Sequence, residues 1–221
     1  MQYFYKKCKE RGSKTLENIT AMIISLTAFI TACATLIVNI LKAKKEIANN
    51  LPKKIQKQCL LEMEITNKME ALKEFINADR VQIYDFHNGG HYANGRSALK
   101  TSCTFEVTRF GVKGHQKELQ SVPLSCIPSF IKVLLNDKQM KINNLEDLKE
   151  KMPATYELKK EQEIGSFFDI VLNNKNGDPI GFLAVQFTKI NCVNFSNDEI
   201  NQILKLKFFV EENLEKMIKQ K

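Results

Sequence analysis

Two histidines on either side of a glycine pair are the first residues in this chain whose spacing could do chemistry. His87 and His91 have the four-residue separation that aligns two metal ligands on a helix, but Gly89 and Gly90 lie between them. Adjacent glycines disfavour a helix, so this spacing does not predict a metal site. The segment from His87 to Gly90 instead predicts a tight turn at a strand end, with backbone N–H groups free to bind a polar ligand.

The residues of this turn form a candidate ligand site. Loops that a rigid sheet displays often carry binding residues, so we expect a ligand to contact this region. The candidates are His87, Asn88, Gly89, Gly90 and Tyr92. The alternative is that these side chains only stabilise the turn.

A strand predicted at 102–110 adds two polar candidates to the same site. Thr104 and Glu106 fall on one face of this strand by alternation, and the other face holds apolar residues: Cys103, Phe105 and Val107. We expect the apolar set to face the core, which leaves Thr104 and Glu106 on the opposite face of the sheet. The alternative for Glu106 is a surface ion pair with Arg109.

The sequence does not predict an enzyme. It contains no GxSxG motif, no phosphate-binding glycine loop and no nucleophile beside a recognisable base. A thiol-dependent reductase would have to use Cys103 or Cys126, and buried or inert thiols are the alternative for both. The sequence names no cofactor.

The strongest signal along the chain is an uncharged stretch of 23 residues, 19–41. As a helix it would be about 34 Å long, enough to cross a hydrocarbon core of about 30 Å. We predict a transmembrane helix here, preceded by a basic N-terminal segment, 1–18. A cleaved signal peptide has a shorter apolar region, and a buried core helix would show a polar stripe.

The net charge of +8 is concentrated near this stretch. Residues 1–78 carry 13 basic and 7 acidic side chains, whereas residues 79–221 carry 20 and 18. Lys42, Lys44 and Lys45 are therefore expected to bind anionic lipid headgroups, and no nucleic-acid partner is predicted. Five basic residues precede the stretch and six follow it, so charge does not decide the orientation. Six widely spaced cysteines suit a reducing compartment and favour a cytoplasmic C-terminal domain in a single-pass cell-membrane protein.

The remaining sequence predicts an α+β domain at 55–221, after a basic linker at 42–54. A helix is expected at about 51–77 after a break at 49–52, with one apolar stripe that packs on the chain's own sheet or on a second subunit: Leu61, Ile65, Met69, Leu72 and Ile76. Strands are expected at 80–86, 102–110, 166–172 and 180–188, with Asn176-Gly177 in the last turn. Ser196 and Glu199 form a capping box that opens a final helix, ending near Lys219.

The order of these segments resembles that of a GAF domain. The resemblance is carried by residues 78–86 after an amphipathic helix, by 164–172 and 176–187, and by 195–200. It implies an antiparallel sheet with both terminal helices on one face, a small-molecule pocket on the other, and dimerisation through the terminal helices. The form of residues 85–92 and 102–107 is similar to uncharacterised GAF-like proteins, many carried by bacteriophages. The Asn-Lys pair of cyclic-nucleotide-binding members is absent, since Thr188 precedes Lys189.

These observations predict a membrane-anchored, homodimeric sensory or regulatory module that binds a small molecule or a protein partner. The alternative is a membrane-tethered structural or interaction protein, phage-encoded and directed at a host envelope, that uses the fold without a ligand.

Overall fold

The computed structural model describes the backbone of residues 2–218 and the side chains of residues 22, 25–42, 44 and 52–216. Contacts divide the chain into two compact units, Met1–Lys57 and Gln58–Lys221. The side chains of the basic N-terminal segment, and that of Lys45, lie outside the described residues.

The first unit is helical, and it contains one candidate membrane span. Helix α1 covers Gln2–Phe75, and its window Ser25–Lys42 is long and apolar enough to cross a membrane, with a mean hydropathy of 1.6. None of this window is buried in the structure. A core helix of a soluble protein would be buried, so this exposure argues against that alternative.

The predicted helix break at 49–52 is wrong. Helix α1 is continuous through these positions and contains Pro52, which is exposed. A proline inside a helix removes one backbone hydrogen bond and costs about 3 kcal/mol. That cost weakens a long helix without necessarily ending it, so the linker at 42–54 is helical.

The second unit is a six-stranded antiparallel sheet with helices on both faces. After α1 come β1 (Arg80–His91), β2 (Ser97–Thr108), β3 (Val122–Pro123), α2 (Pro128–Asp137), β4 (Gln139–Ile142), α3 (Pro153–Glu161), β5 (Ser166–Asn173), β6 (Pro179–Phe187) and α4 (Asn197–Ile218). Short 3₁₀ turns precede α2 and α3. The strand order is β3-β2-β1-β6-β5-β4, and the predicted α+β class is confirmed.

Two hydrophobic cores lie on the two faces of this sheet. The outer core packs α4 and the end of α1 on the sheet, and it buries four of the five predicted stripe residues: Ile65, Met69, Leu72 and Ile76. The stripe therefore packs on the chain's own sheet. The inner core packs α2, α3 and both 3₁₀ turns on the other face. The predicted placement of both terminal helices on one face is confirmed.

The tight turn predicted at His87–Gly90 is wrong, because β1 continues to His91. A bulge between Asn88 and His91 accommodates both glycines inside the strand, and Gly90 has a φ of 104°, which favours glycine. The chain reverses after Tyr92, whose N–H donates to the Arg96 carbonyl. The alternation of apolar and polar residues stops at the two glycines, and for this reason the sequence predicts a turn in the second half of the strand.

A second bulge changes the faces of β2. Ile83 pairs with Phe105 and Tyr84 pairs with Cys103, so Thr104 is an extra residue without a partner position on β1. Phe105 and Val107 contribute to the outer core as expected, but Cys103 belongs to the inner core. The strict alternation predicted for this strand is therefore wrong at Cys103.

Two local predictions are confirmed, and two short strands are absent from the prediction. Gly177 has the positive φ expected of the β5–β6 turn, and the Glu199 N–H donates to Ser196 Oγ in the predicted capping box. The unpredicted strands are β3 and β4, whose two and four residues are too few to show a period of two.

Candidate functional site

A small cavity of about 20 Å³ lies in the inner core, between the sheet and helices α2 and α3. Its lining comes from β1, β2, β3 and β6 and from both helices, including Tyr84, Thr101, Phe130, Lys159 and Phe182. This volume is enough for about one water molecule. The cavity is on the face opposite the terminal helices, where the resemblance predicted a pocket.

Stacked aromatic rings form one wall of the cavity. Tyr84 and Phe182 are paired across β1 and β6, and their rings stack with centroids 4.4 Å apart and an interplanar angle of 7°. Phe130 of α2 meets Phe182 edge to face at 5.7 Å. Aromatic contacts of this kind contribute about 0.5 to 1.5 kcal/mol beyond the area they bury. The inner face is therefore well packed around the small space that remains.

Two polar groups at the cavity have no hydrogen-bond partner among the described residues. They are the Thr101 hydroxyl and the Gln162 side-chain carbonyl, and both residues are buried. Leaving such a group unpaired costs about 1 to 3 kcal/mol, so buried polar atoms normally bind a protein group or an ordered water. Both residues are among those that line the cavity, so the cavity is the nearest space in which a partner for these groups could lie.

A buried ion pair lies at the same site. Lys159 Nζ donates to Asp169 Oδ2 at 2.9 Å, and it also lies 4.2 Å from the centroid of the Phe167 ring. Burial raises the pKa of Asp169, and the neighbouring Lys159 ammonium opposes this rise. Because the two charges compensate each other, the cavity favours a small polar molecule over a large anion.

A buried arginine organises a polar network beside the cavity. The Arg80 side chain is 2% exposed, and its Nε lies 3.4 Å from Glu106 Oε1. Its terminal nitrogens donate to Gln186 Oε1 at 3.0 Å, to the Lys113 carbonyl at 2.6 Å and to the Gln162 carbonyl at 3.3 Å. Burial lowers the pKa of Arg80, and the Glu106 carboxylate opposes this change.

Two glutamines extend the network to the aromatic wall. Gln82 Nε2 donates to Glu106 at 2.7 Å, while Gln82 Oε1 accepts from both Gln186 and the Tyr84 hydroxyl. The sequence did not lead us to expect a role for Arg80, Gln82 or Gln186 in this site. The spacing of Arg80 and Gln82, two polar residues on the same face at the start of an apolar strand, is the pattern that could have indicated it.

Glu106 is buried and fastens the segment that follows β2. Its carboxylate accepts the backbone N–H groups of His115 and Gln116 at 2.9 to 3.0 Å. This holds Leu119 in the inner core, where it lines the cavity. The alternative ion pair with Arg109 is wrong, because Arg109 pairs with Asp79 at 3.2 Å.

The other predicted site residues lie on the β1–β2 hairpin and do not surround the cavity. His87 Nε2 lies 2.9 Å from Ser102 Oγ, Asn88 Oδ1 accepts the Gly90 N–H, and the Tyr92 hydroxyl lies 3.5 Å from Ser125 Oγ. The Thr104 hydroxyl donates to the Ile83 carbonyl across the bulge. Gly89 is exposed on the same hairpin, and the structure does not bring this set together with Glu106.

The two cysteines considered for thiol chemistry are in different environments. Cys103 is fully buried, and burial raises the pKa of its thiol, which disfavours the reactive thiolate. Cys126 is exposed in the 3₁₀ turn before α2.

Replacing Glu106 tests whether its charge holds this side of the inner core together. We expect Glu106→Gln to lower the free energy of unfolding by about 2 to 4 kcal/mol, because Arg80 would lose its buried counter-charge. Amide hydrogen exchange at 113–120 should become faster. The control is Glu118→Gln, since Glu118 pairs with Lys113 at the solvent-exposed surface and its replacement should change the free energy of unfolding much less than Glu106→Gln does. Equal effects of the two substitutions would contradict this role.

The raised pKa of Asp85 makes the stability of the folded state depend on pH. Burial raises its pKa from 3.8 to about 6, against the lowering effects of Thr104 and His87. The folded state therefore holds this proton between about pH 4 and pH 6 while the unfolded state has lost it, so stability rises as the pH falls through this window. We expect Asp85→Asn to remove about 1 to 3 kcal/mol of this rise. Denaturant unfolding of both proteins at pH 4.5 and pH 7.5 measures it, and parallel pH profiles would contradict it.

Comparison with solved structures identifies the architecture that holds this cavity. No protein-family model matches the chain, and no curated protein matches it. The phycoerythrobilin-bound GAF domain of a cyanobacterial phytochrome is similar, with a TM-score of 0.54 and 15% identity over 80% of this chain and 94% of that one. A GAF domain region from Geobacter sulfurreducens PCA has a TM-score of 0.51 and 15% identity over 73% and 97%. The cyanobacteriochrome TePixJ GAF domain has a TM-score of 0.53 and 11% identity over 71% and 89%. The globular unit of this chain therefore has a GAF-like fold.

Proposed function

We propose that this chain is a membrane-anchored sensory module whose GAF-like unit binds a small polar molecule in the inner-face cavity. The observation that carries the proposal is the pair of unpartnered polar groups, on Thr101 and Gln162, at a cavity on the face opposite the terminal helices. Solved structures with this fold include a phycoerythrobilin-bound GAF domain of a phytochrome. A bilin is far larger than about 20 Å³, so the shared fold does not imply the same ligand.

Ligand binding would have to open the inner core. A cavity with room for about one water molecule admits a larger compound only if Leu119 or the α2 side chains move. A ligand can favour such an open state only by binding it better than the closed state. The closed packing is therefore compatible with a switch, because binding and rearrangement would be coupled.

The sheet offers a route from the cavity to the terminal helices. On β1, Tyr84 faces the inner core and Ile83 faces the outer core, and on β6, Phe182 and Leu183 divide in the same way. A displacement of the aromatic wall would therefore reach the residues on which α1 and α4 pack. This is the arrangement that a sensor with an output at its terminal helices requires.

A membrane anchor accounts for the exposed apolar window of α1. Its large apolar side chains are about half to two-thirds exposed, including Leu26, Phe29 and Leu36. Unburied apolar side chains over an 18-residue window would be stabilised by lipid. Lys42 and Lys44, with Lys45 in the sequence, would then lie at anionic headgroups, and the cysteine pattern favours a cytoplasmic position for the globular unit.

The Thr101 hydroxyl provides a test of the ligand site. Thr101→Val keeps the shape of the side chain and removes the unpartnered hydroxyl, so the ligand-free protein should be unchanged or more stable by up to about 1 kcal/mol. A screen of small polar compounds by thermal unfolding should find stabilising compounds for the wild type. The same compounds should stabilise Thr101→Val less, by about 1 kcal/mol.

The matched control is Thr108→Val, on the same strand but outside the cavity lining. This variant should respond to the compounds as the wild type does. Equal loss of response in both variants would contradict binding at the cavity.

A second candidate function is an interaction module that uses the fold without a ligand. The close packing of the inner face around the Tyr84–Phe182 stack favours it. Failure of every compound to change the unfolding temperature, in the wild type and in Thr101→Val alike, would support this alternative and overturn the sensory proposal.

Self-association through the terminal helices is expected for both candidate functions, the sensory module and the interaction module. Phe75 and Phe208 are exposed on α1 and α4 and line one groove together with Leu204. Apolar groups on helices that leave a common membrane are suited to pair with a second copy.

We expect Phe208→Asp to reduce cross-linked dimer of the full chain in lipid nanodiscs at least about fivefold, which is about 1 kcal/mol. Phe110→Asp, at a fully exposed position on another surface, is the control, and an unchanged dimer fraction in Phe208→Asp would argue against this interface.

A further inference from the structure

The β1–β2 hairpin projects beyond the rest of the sheet. Pairing of β1 with β6 ends at Asp85, opposite Gly181, and pairing of β2 with β3 is limited to Lys100 and Thr101. The residues beyond these points form a two-stranded ribbon that reverses after Tyr92. We call residues 88–99 the hairpin tip.

The hairpin is cationic and carries exposed amphipathic side chains. No acidic residue occurs between Asp85 and Glu106, whereas Arg96, Lys100 and two histidines do. The Arg96 guanidinium lies over the Tyr92 ring at 4.9 Å, which holds both side chains at the tip. Tyr92 is 39% exposed and Leu99 is 54% exposed. This combination of positive charge with tyrosine and leucine suits the interface of an anionic membrane.

The hairpin points to the end of the globular unit at which the chain enters from α1. The end of α1 lies beside the start of β1, because Lys73 Nζ donates to the Thr108 carbonyl and Thr108 pairs with Arg80. From there β1 runs back along the unit for about 36 Å, and the α1 segment from Gln58 to Phe75 is about 26 Å long. The tip therefore reaches at least as far as the entry point at Gln58.

We propose that the hairpin tip is a second membrane contact, which docks Arg96, together with Lys100 at the base of the tip, on anionic headgroups and places Tyr92 at the interface. The inference depends on the membrane anchor proposed above. The 16 positions from Lys42 to Gln58 lie on helix α1 and span about 24 Å, so the anchor keeps the tip near the lipid surface. The contact would fix how the globular unit is oriented on the membrane, which the anchor by itself does not do.

Tryptophan fluorescence can test this contact, because the chain contains no tryptophan. Tyr92→Trp places a reporter at the tip. Phe110→Trp places the control reporter at a fully exposed site two residues beyond β2, at the opposite end of the sheet. The full chain would be reconstituted in nanodiscs of phosphatidylcholine with and without phosphatidylglycerol, with headgroup spin-labelled lipid as the quencher.

The reporter at the tip should shift to shorter wavelength and be quenched in anionic discs, whereas the Phe110→Trp reporter should not change. Adding Arg96→Ser and Lys100→Ser to Tyr92→Trp should reduce the contact equilibrium about thirtyfold, or about 2 kcal/mol. Added salt should weaken the contact in the same direction. Equal emission and quenching at the two reporter positions, in discs that hold the protein, would overturn the inference and leave the anchor unaffected.

The anchor is read out separately by co-elution of the chain with the discs after a high-salt wash. Loss of the chain from the discs would overturn the anchor and this inference together. Quenching that is equal in phosphatidylcholine and in anionic discs would overturn the headgroup docking of Arg96 and Lys100.

Discussion

The burial of the Arg80 guanidinium constrains the rest of the inner face. A buried charge is tolerated only when it is paired and most of its donors are satisfied, and Arg80 meets partners on four different segments. Its terminal nitrogens donate to Gln186 on β6 and to the carbonyls of Lys113, after β2, and Gln162, after α3. Its Nε has no hydrogen bond among the described residues but lies 3.4 Å from the carboxylate of Glu106 on β2. One cation thus holds two strands and two connecting segments in a single arrangement, and that arrangement closes the cavity.

Because of this constraint, Glu106 has a structural role and not the ligand-binding role that its position in the sequence predicted. Its oxygens are occupied by Gln82, by two backbone N–H groups and by the neighbouring Arg80. It is therefore a structural anion that positions Leu119. Gln162 connects the network to the cavity, because it is one of the cavity-lining residues and its backbone carbonyl accepts from Arg80, while its side-chain carbonyl has no partner among the described residues. A molecule that bound this side chain would act on a residue that the arginine already holds.

The sequence predicted the elements with strong periodicity and missed what depends on long-range pairing. The stripe from Ile65 to Ile76, the β5–β6 hairpin and the Ser196 capping box are local patterns, and the structure contains all three. The bulge at Thr104 could not be predicted, because it depends on the register of β2 against β1. The acceptors of Arg80 are up to 106 positions away along the chain, so no local pattern indicates that this arginine is buried. The cavity is missed for the same reason, since six helices and strands contribute its lining.

The coupling between the two faces of the sheet depends on how closely β1 and β6 approach. A Cβ atom at Gly181 would overlap the Tyr84 carbonyl, so only glycine permits the observed distance between these strands. Strands in such close contact, with continuous pairing from Arg80 to Asp85, resist sliding against each other because a slip would place their outer-core residues on the wrong face. A force on the Phe182 ring would therefore move the two strands as a pair. The outer-core residues of these strands would move with them, and the packing of α1 and α4 on the sheet would have to adjust.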